Sequence, residues 1–166
     1  MKTLFPLLLA LVLITGCKKE KVCPQGFTGS ACTDQIAPTK ITITKISVLG
    51  FEPLNNGQYW DSNSGLADVM ISLLGNNILL WESTYSVDCN PNSEYNYIPS
   101  PNPVSIFPAA FNNPMTVVLI DYDGQVLDPV IDNISFSIYS NNNGLPSVLH
   151  LTQGYTKVDV HLTYTW

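Results

Sequence analysis

The 166 residues carry 7 Lys+Arg against 13 Asp+Glu, a formal net charge of -6, and include no arginine. From Lys40 onward three lysines (Lys40, Lys45, Lys157) face eleven acids. Such a surface repels phosphate backbones, which argues against nucleic acid as a partner, and it disfavours anionic lipid unless a cation intervenes.

The chain opens with Lys2, an apolar run from Leu4 to Ile14, and the small pair Thr15-Gly16 ahead of Cys17. A basic start, an apolar run and small residues in that order mark an export signal. The run is shorter than the roughly 20 residues a helix needs to cross a bilayer. Leu13-Ile14-Thr15-Gly16-Cys17 resembles the lipobox of bacterial lipoproteins. The resemblance implies that residues 1–16 are removed and that Cys17 is acylated, palmitate being one such lipid. The chain would then hang from a membrane of the cell envelope. Lys18-Lys19-Glu20 loosely resembles the charged signal of surface-exposed lipoproteins in some Gram-negative bacteria, pointing to the outer membrane, facing the periplasm or the surface. Export permits disulfides. With Cys17 lipidated, Cys23, Cys32 and Cys89 remain, an odd set that leaves one thiol free or paired outside the chain.

Residues 17–39 form a lipidated stalk. Within it, Cys23-Pro24-Gln25-Gly26-Phe27-Thr28-Gly29-Ser30-Ala31-Cys32 resembles the last loop of an EGF-like module, whose final two cysteines enclose a Gly-Phe/Tyr-x-Gly turn. The resemblance implies a Cys23–Cys32 bridge. The earlier cysteines of a full module are missing, so the expectation is a disulfide-pinned linker without an EGF module's binding functions.

Residues 40–166 read as one all-β domain. Lys40 to Leu49 alternates, with a phase slip near Lys45 of the kind a bulge produces. Further strands are expected over Ala67 to Leu74, Ile78 to Glu82, Val104 to Phe107, Met115 to Ile120, Ile134 to Tyr139, Ser147 to Thr152 and Thr156 to Tyr164. The last is half-buried by its pattern: Val158, Val160, Leu162 and Tyr164 on one face, Lys157, Asp159, His161 and Thr163 on the other. Asn/Gly/Pro clusters punctuate the strands, and Asn76-Asn77 is a hairpin loop. Short strands at this spacing indicate an eight-stranded antiparallel β-sandwich.

Two acidic loops are the chemical centre of this domain. One carries Asp61 and Asp68; the other carries Asp121 and Asp123 directly after a strand, followed by Asp128 and Asp132. Carboxylates so close repel one another unless a proton or cation compensates. Calcium takes six to eight hard oxygen ligands, which such loops supply. Here residues 40–166 resemble the C2 domains, a calcium-dependent phospholipid-binding family. In that family one loop carries a spaced Asp pair before a strand, matched by Asp61 and Asp68 at one residue longer spacing. The other carries Asp-x-Asp after a strand, matched by Asp121 and Asp123 behind Val117 to Ile120. The family's third aspartate falls on Asp128 or on Asp132. The resemblance implies a C2-like fold and calcium held by Asp61, Asp68, Asp121 and Asp123, with Asp128 or Asp132 contributing. Solvated turn acids without any ligand are the competing explanation.

No catalytic set stands out. His150 and His161 lie in strand-like segments, and Asp88 and Glu94 near Cys89 disfavour a thiolate. Tyr59 and Trp60 beside Asp61 suggest a sugar platform, although aromatics more often fill β-protein cores. The expected function is non-catalytic: calcium-dependent binding of an envelope protein, glycan or lipid headgroup, with membrane attachment through Cys17. A metal-free adhesion module and a glycan-binding lipoprotein are the alternatives.

Overall fold

A computed structural model describes residues 21–61, 65–124, 128–140 and 144–166. The expected signal peptide over 1–16 and the lipidation residue Cys17 lie outside the described residues. Eleven strands and one 3-10 turn, Pro108–Ala110, make up the regular structure of the described residues. Two short strands come first: β1 (Phe27–Thr28) and β2 (Asp34–Gln35). The sandwich follows as β3 (Lys40–Gly50), β4 (Val69–Gly75), β5 (Ile78–Glu82), β6 (Tyr95–Tyr97), β7 (Val104–Ile106), β8 (Met115–Asp121), β9 (Val130–Phe136), β10 (Val148–Gln153) and β11 (Thr156–Thr165).

One sheet has the order β10-β11-β3-β6, with β7 also paired to β3; the other has the order β5-β4-β8-β9. All pairings are antiparallel. β11 occupies one edge of β3 along its length. β6 meets Ile46–Val48 and β7 meets Ile41–Ile43, so both share the other edge. The nine strands therefore fill eight positions, four to a sheet.

Period-two alternation explains what holds the sheets together. β8 alternates buried and half-buried residues from Met115 to Asp121 without a break. Its Val117 and Leu119 meet Ile71 and Leu73 of β4 and Ile43, Ile46, Val48, Val158 and Val160 of the facing sheet in one core. The phase slip in β3 is a bulge: His161 pairs with Lys45 but Leu162 pairs with Ile43, which leaves Thr44 over. Removing one residue from the count brings both Ile41-x-Ile43 and Ile46-x-Val48 onto the inner face. Asn76 and Asn77 take φ of 50° and 62°, the left-handed pair that a tight hairpin requires.

Two expectations shift. β9 runs over Val130–Phe136 rather than Ile134 to Tyr139, because its ladder with β8 begins at Val130. Asp132 and Asn133 interrupt the apolar pattern, yet β9 is an edge strand with an exposed side, where polar residues are tolerated. Tyr95–Tyr97 pairs with β3 as a strand only three residues long. Its alternation is too brief to stand out from the surrounding turns.

The Cys23–Cys32 disulfide forms, and the loop it closes is docked on the sandwich. Trp166 donates its indole N–H to the Ile36 carbonyl (3.3 Å), and Gln35 Nε2 reaches the Tyr139 hydroxyl (3.4 Å). Gly26 sits at φ +86° where a Cβ would lie 2.5 Å from Leu145 Cδ1 and 2.6 Å from Trp166 Cζ2. Gly26→Ala is expected to undock the loop at a cost of about 1–3 kcal/mol. The check is faster deuterium uptake over residues 23–36 with a red shift of Trp166 emission. Unchanged protection would show that the contact contributes nothing.

Candidate metal centre

Antiparallel pairing sets the site. Val69, the first residue of β4, is opposite Asp121, the last of β8, so the acids before one strand and after the other share one end of the sandwich. The loop after β5 returns to the same end, where Ser86 bridges Val69 and the Cys89 N–H donates to the Ala67 carbonyl (2.8 Å).

Asp121 is 0% exposed. Its Oδ1 accepts the Asp68 N–H at 2.8 Å, and its Oδ2 has no hydrogen-bond partner among the described residues. The Tyr122 N–H donates to the Asp68 carbonyl (2.8 Å) and Asp68 Oδ1 accepts the Asp88 N–H (2.8 Å), fixing three loops to one another. Carboxylate oxygens converge in two groups, Asp61-Asp68-Asp88 and Asp61-Asp121-Asp123, each within 4.8 Å. Asp61 is common to both. Gly65 makes its position available, since a Cβ there would stand 2.6 Å from Asp61 Oδ2.

The electrostatics follow from crowding in a partly dry site. Burial pushes the Asp121 carboxyl up to about 6, helped by the charges of Asp123, Asp61 and Asp68 and opposed by the Asp68 N–H. Burial also raises the Asp61 carboxyl, followed by its hydrogen bond with Asp123 and the charges of Asp68, Asp123 and Asp88. Among the described residues no lysine pairs with these acids; the contact between His150 Nδ1 and Asp159 Oδ1, at 2.7 Å, lies on β10 and β11.

Of the six acids singled out by sequence, Asp61, Asp68, Asp121 and Asp123 converge. Asp128 accepts the Asp123 N–H through Oδ1 (3.2 Å) but belongs to neither group. Asp132 lies within β9 opposite Leu119, and its Oδ1 accepts from Gln153 Nε2 (2.7 Å). Asp88 joins the cluster unforeseen. Its signal was topological: an antiparallel hairpin carries the end of β5 back to the start of β4, so an acid just past β5 belongs with Asp61 and Asp68.

The donor set suits a hard divalent cation. Five carboxylates, one with a buried oxygen lacking a donor among the described residues, are the hard oxygen ligands that calcium takes. Other candidate chemistry is spoken for. Ser47 donates its hydroxyl proton to Asn96 Oδ1 (2.7 Å) and lies 3.3 Å from His161 Nε2. Cys89 is unpaired and fully buried, its thiol pushed up by burial, with Sγ donating to the Ser86 carbonyl (3.1 Å). Trp60 packs on the core and donates to the Glu52 carbonyl (2.9 Å), which leaves Tyr59 as the exposed member of that pair. Tyr85 stacks on Tyr122 beside the acids, ring centroids 4.5 Å apart.

No protein-family model and no curated protein matches the sequence. Solved structures do match the fold. A C2 domain aligns with TM-score 0.50 at 14% identity, over 76% of this chain and 98% of that one. A C2 domain of plant Extended Synaptotagmin 1 aligns at TM-score 0.43 and 12% identity, over 78% and 97%. Human GIVD cytosolic phospholipase A2, in complex with a fluorophosphonate inhibitor and terbium chloride, aligns at TM-score 0.48 and 15% identity; the match covers 76% of this chain but 18% of the enzyme. By the first of these matches, the domain is a C2-like antiparallel β-sandwich.

Proposed function

We propose that this chain is a non-catalytic, lipid-anchored module of the bacterial envelope that binds a surface ligand or partner through calcium. The carrying observation is Asp121, fully buried, with one oxygen unpartnered among the described residues and Asp61, Asp68 and Asp123 around it. An unpartnered buried carboxylate among like charges is costly to maintain in a folded protein. A divalent ion removes that cost, and Asp61, Asp68, Asp88, Asp121 and Asp123 are the residues that would hold it. When bound, the ion reverses the sign of the local field and offers open coordination to an anionic group, whether a phosphate, an acidic glycan or a protein carboxylate. The chain's own part is to fix the loops through the Asp68, Tyr122 and Asp88 backbone hydrogen bonds, so little ordering remains to be done on binding. Attachment is assigned to acylated Cys17, in the outer membrane, facing the periplasm or the surface.

Calorimetric titration of the chelated chain tests the metal. Saturable calcium binding in the millimolar range or tighter, without matching magnesium binding, is expected. Absence of calcium heat would move the function to a metal-free adhesion module or a glycan-binding lipoprotein. The mass of the N-terminal peptide of the exported chain tests the anchor separately, since acyl chains on Cys17 add a defined increment.

A further inference from the structure

The two ends of the sandwich differ in chemistry. At the end opposite the acidic cluster, Ile78, Leu80, Ile106, Phe107, Ala110 and Met115 line an apolar groove of about 300 Å³. Ile78 is 66% exposed, Leu79 53% and Phe107 58%. Successive strand residues face opposite sides, so Leu79 extends the apolar surface around the β4–β5 hairpin. The described segments at this end, residues 21–40, 75–80, 105–115, 136–140, 144–146 and 163–166, contain Lys21 and Lys40 and a single acid, Asp34. The net-acid character of the chain is therefore concentrated elsewhere.

The chain also enters the sandwich here. The disulfide loop docks against Leu145 and Trp166, and β3 begins beside the end of β11. Cys17 precedes Lys21 by four residues, a reach of at most about 14 Å. The acidic cluster lies at the far end of β3, whose 11 residues span roughly 35 Å. A short tether and a strand of this length place the two ends at different distances from any membrane the tether holds.

We infer that the tethered end is a bilayer-contacting face: Ile78, Leu79, Leu80 and Phe107 enter the interfacial zone of the anionic membrane that carries the anchor, with Lys21 and Lys40 toward its headgroups. Exposed apolar side chains at an end that also carries lysines are what such a zone accepts. The calcium end then points away from the anchoring membrane and is displayed to a ligand in the space beyond it. This inference rests on anchoring at Cys17, and its test supplies the anchor chemically.

The chain from residue 17 keeps every described element. It is coupled through Cys17 to maleimide-bearing vesicles of phosphatidylglycerol and phosphatidylethanolamine, in chelator. Cys23 and Cys32 are bridged and Cys89 is buried, so Cys17 is the reactive thiol. Leu79→Trp and Tyr155→Trp each add one indole at an exposed position, Tyr155 being at the acidic end and 70% exposed. With brominated acyl chains in the vesicle, the indole added at 79 should lose more than half of its emission, while that added at 155 should keep it. Ile78→Trp serves if Leu79→Trp misfolds. No quenching at 79 or 78, or equal quenching at 155, overturns the inference. Unquenched but blue-shifted emission that grows with protein concentration would assign the face to a second copy of the chain and overturn it equally. Native acylation of Cys17 is read by mass alone, so failure of the anchor reading is distinguishable from failure of the face.

Discussion

Asp121→Asn is expected to raise the melting temperature of the chelated chain at pH 7.5 and to abolish its response to calcium. The amide is nearly isosteric with the carboxylate. Its Oδ1 can still accept the Asp68 N–H that now bonds Asp121 at 2.8 Å. Its Nδ2 donates where Oδ2 has no partner among the described residues, toward the carboxylates of Asp61 and Asp123 that crowd Asp121. Repulsion becomes attraction, so the metal-free fold gains. The same change removes one charge and one ligand from the calcium set, and affinity should fall by two orders of magnitude or more. In the wild type, calcium at roughly a hundredfold above its Kd should stabilise the fold by about 2.7 kcal/mol. In a domain of this size that is about 5–10 °C in Tm. Scanning calorimetry of both proteins, with chelator and with calcium, checks both halves. A variant that melts lower without metal would mean that the carboxylate is satisfied in the calcium-free fold. A variant that still responds to calcium would place the ion elsewhere.

The opposite signs separate this mechanism from simple damage. A destabilised mutant loses Tm in both conditions, whereas removal of a metal ligand that strains the empty site crosses over between them. Asp132→Asn provides the internal control. Its carboxylate accepts from Gln153 and lies in β9 outside both convergent groups, so the calcium increment should remain.

Strands with an uninterrupted inward face were legible from sequence. β8 and β11 alternate throughout, and the period alone gives both their extent and their buried side. The bulge in β3 was legible for the same reason: inserting one residue is the way to keep Ile41, Ile43, Ile46 and Val48 on one face. β6 and the start of β9 were not, because neither is defined by its own pattern. β6 is held by three residues of β3, and Val130 to Asn133 of β9 by the ladder with β8. The acid pairs could be seen as pairs, but their meeting depends on which strand ends coincide. Asp88 follows from that topology and from no spacing in the sequence. The burial of Asp121 was hidden as well, since a strand's last residue is exposed or covered according to the loops folded over it.

Acidifying the chelated chain from pH 7.5 to about 5 is expected to stabilise it, against the usual behaviour of acidic proteins. The sign follows from linkage. Asp121 has its folded-state carboxyl raised from 3.8 to about 6, and Asp61 is raised as well. Between the two limits the folded chain holds more protons than the unfolded one, so stability rises as pH falls. The contribution is complete below about 3.8 and is lost as pH rises through about 6. For Asp121 it amounts to at most about 3 kcal/mol, from 1.36 kcal/mol for each pH unit between those values. Calcium inverts the dependence. An ion requires the carboxylates deprotonated, so protons compete with it, and the calcium-loaded chain should lose its increment over the same window. Melting curves of the chelated and loaded forms should therefore approach one another as pH falls to 5 and diverge above 6. Asp121→Asn supplies the subtraction: its chelated Tm should vary with pH less than that of the wild type by the share Asp121 contributes. Parallel wild-type and variant profiles would show that Asp121 does not bind the proton, and the stress that calcium is proposed to relieve at this residue would be absent.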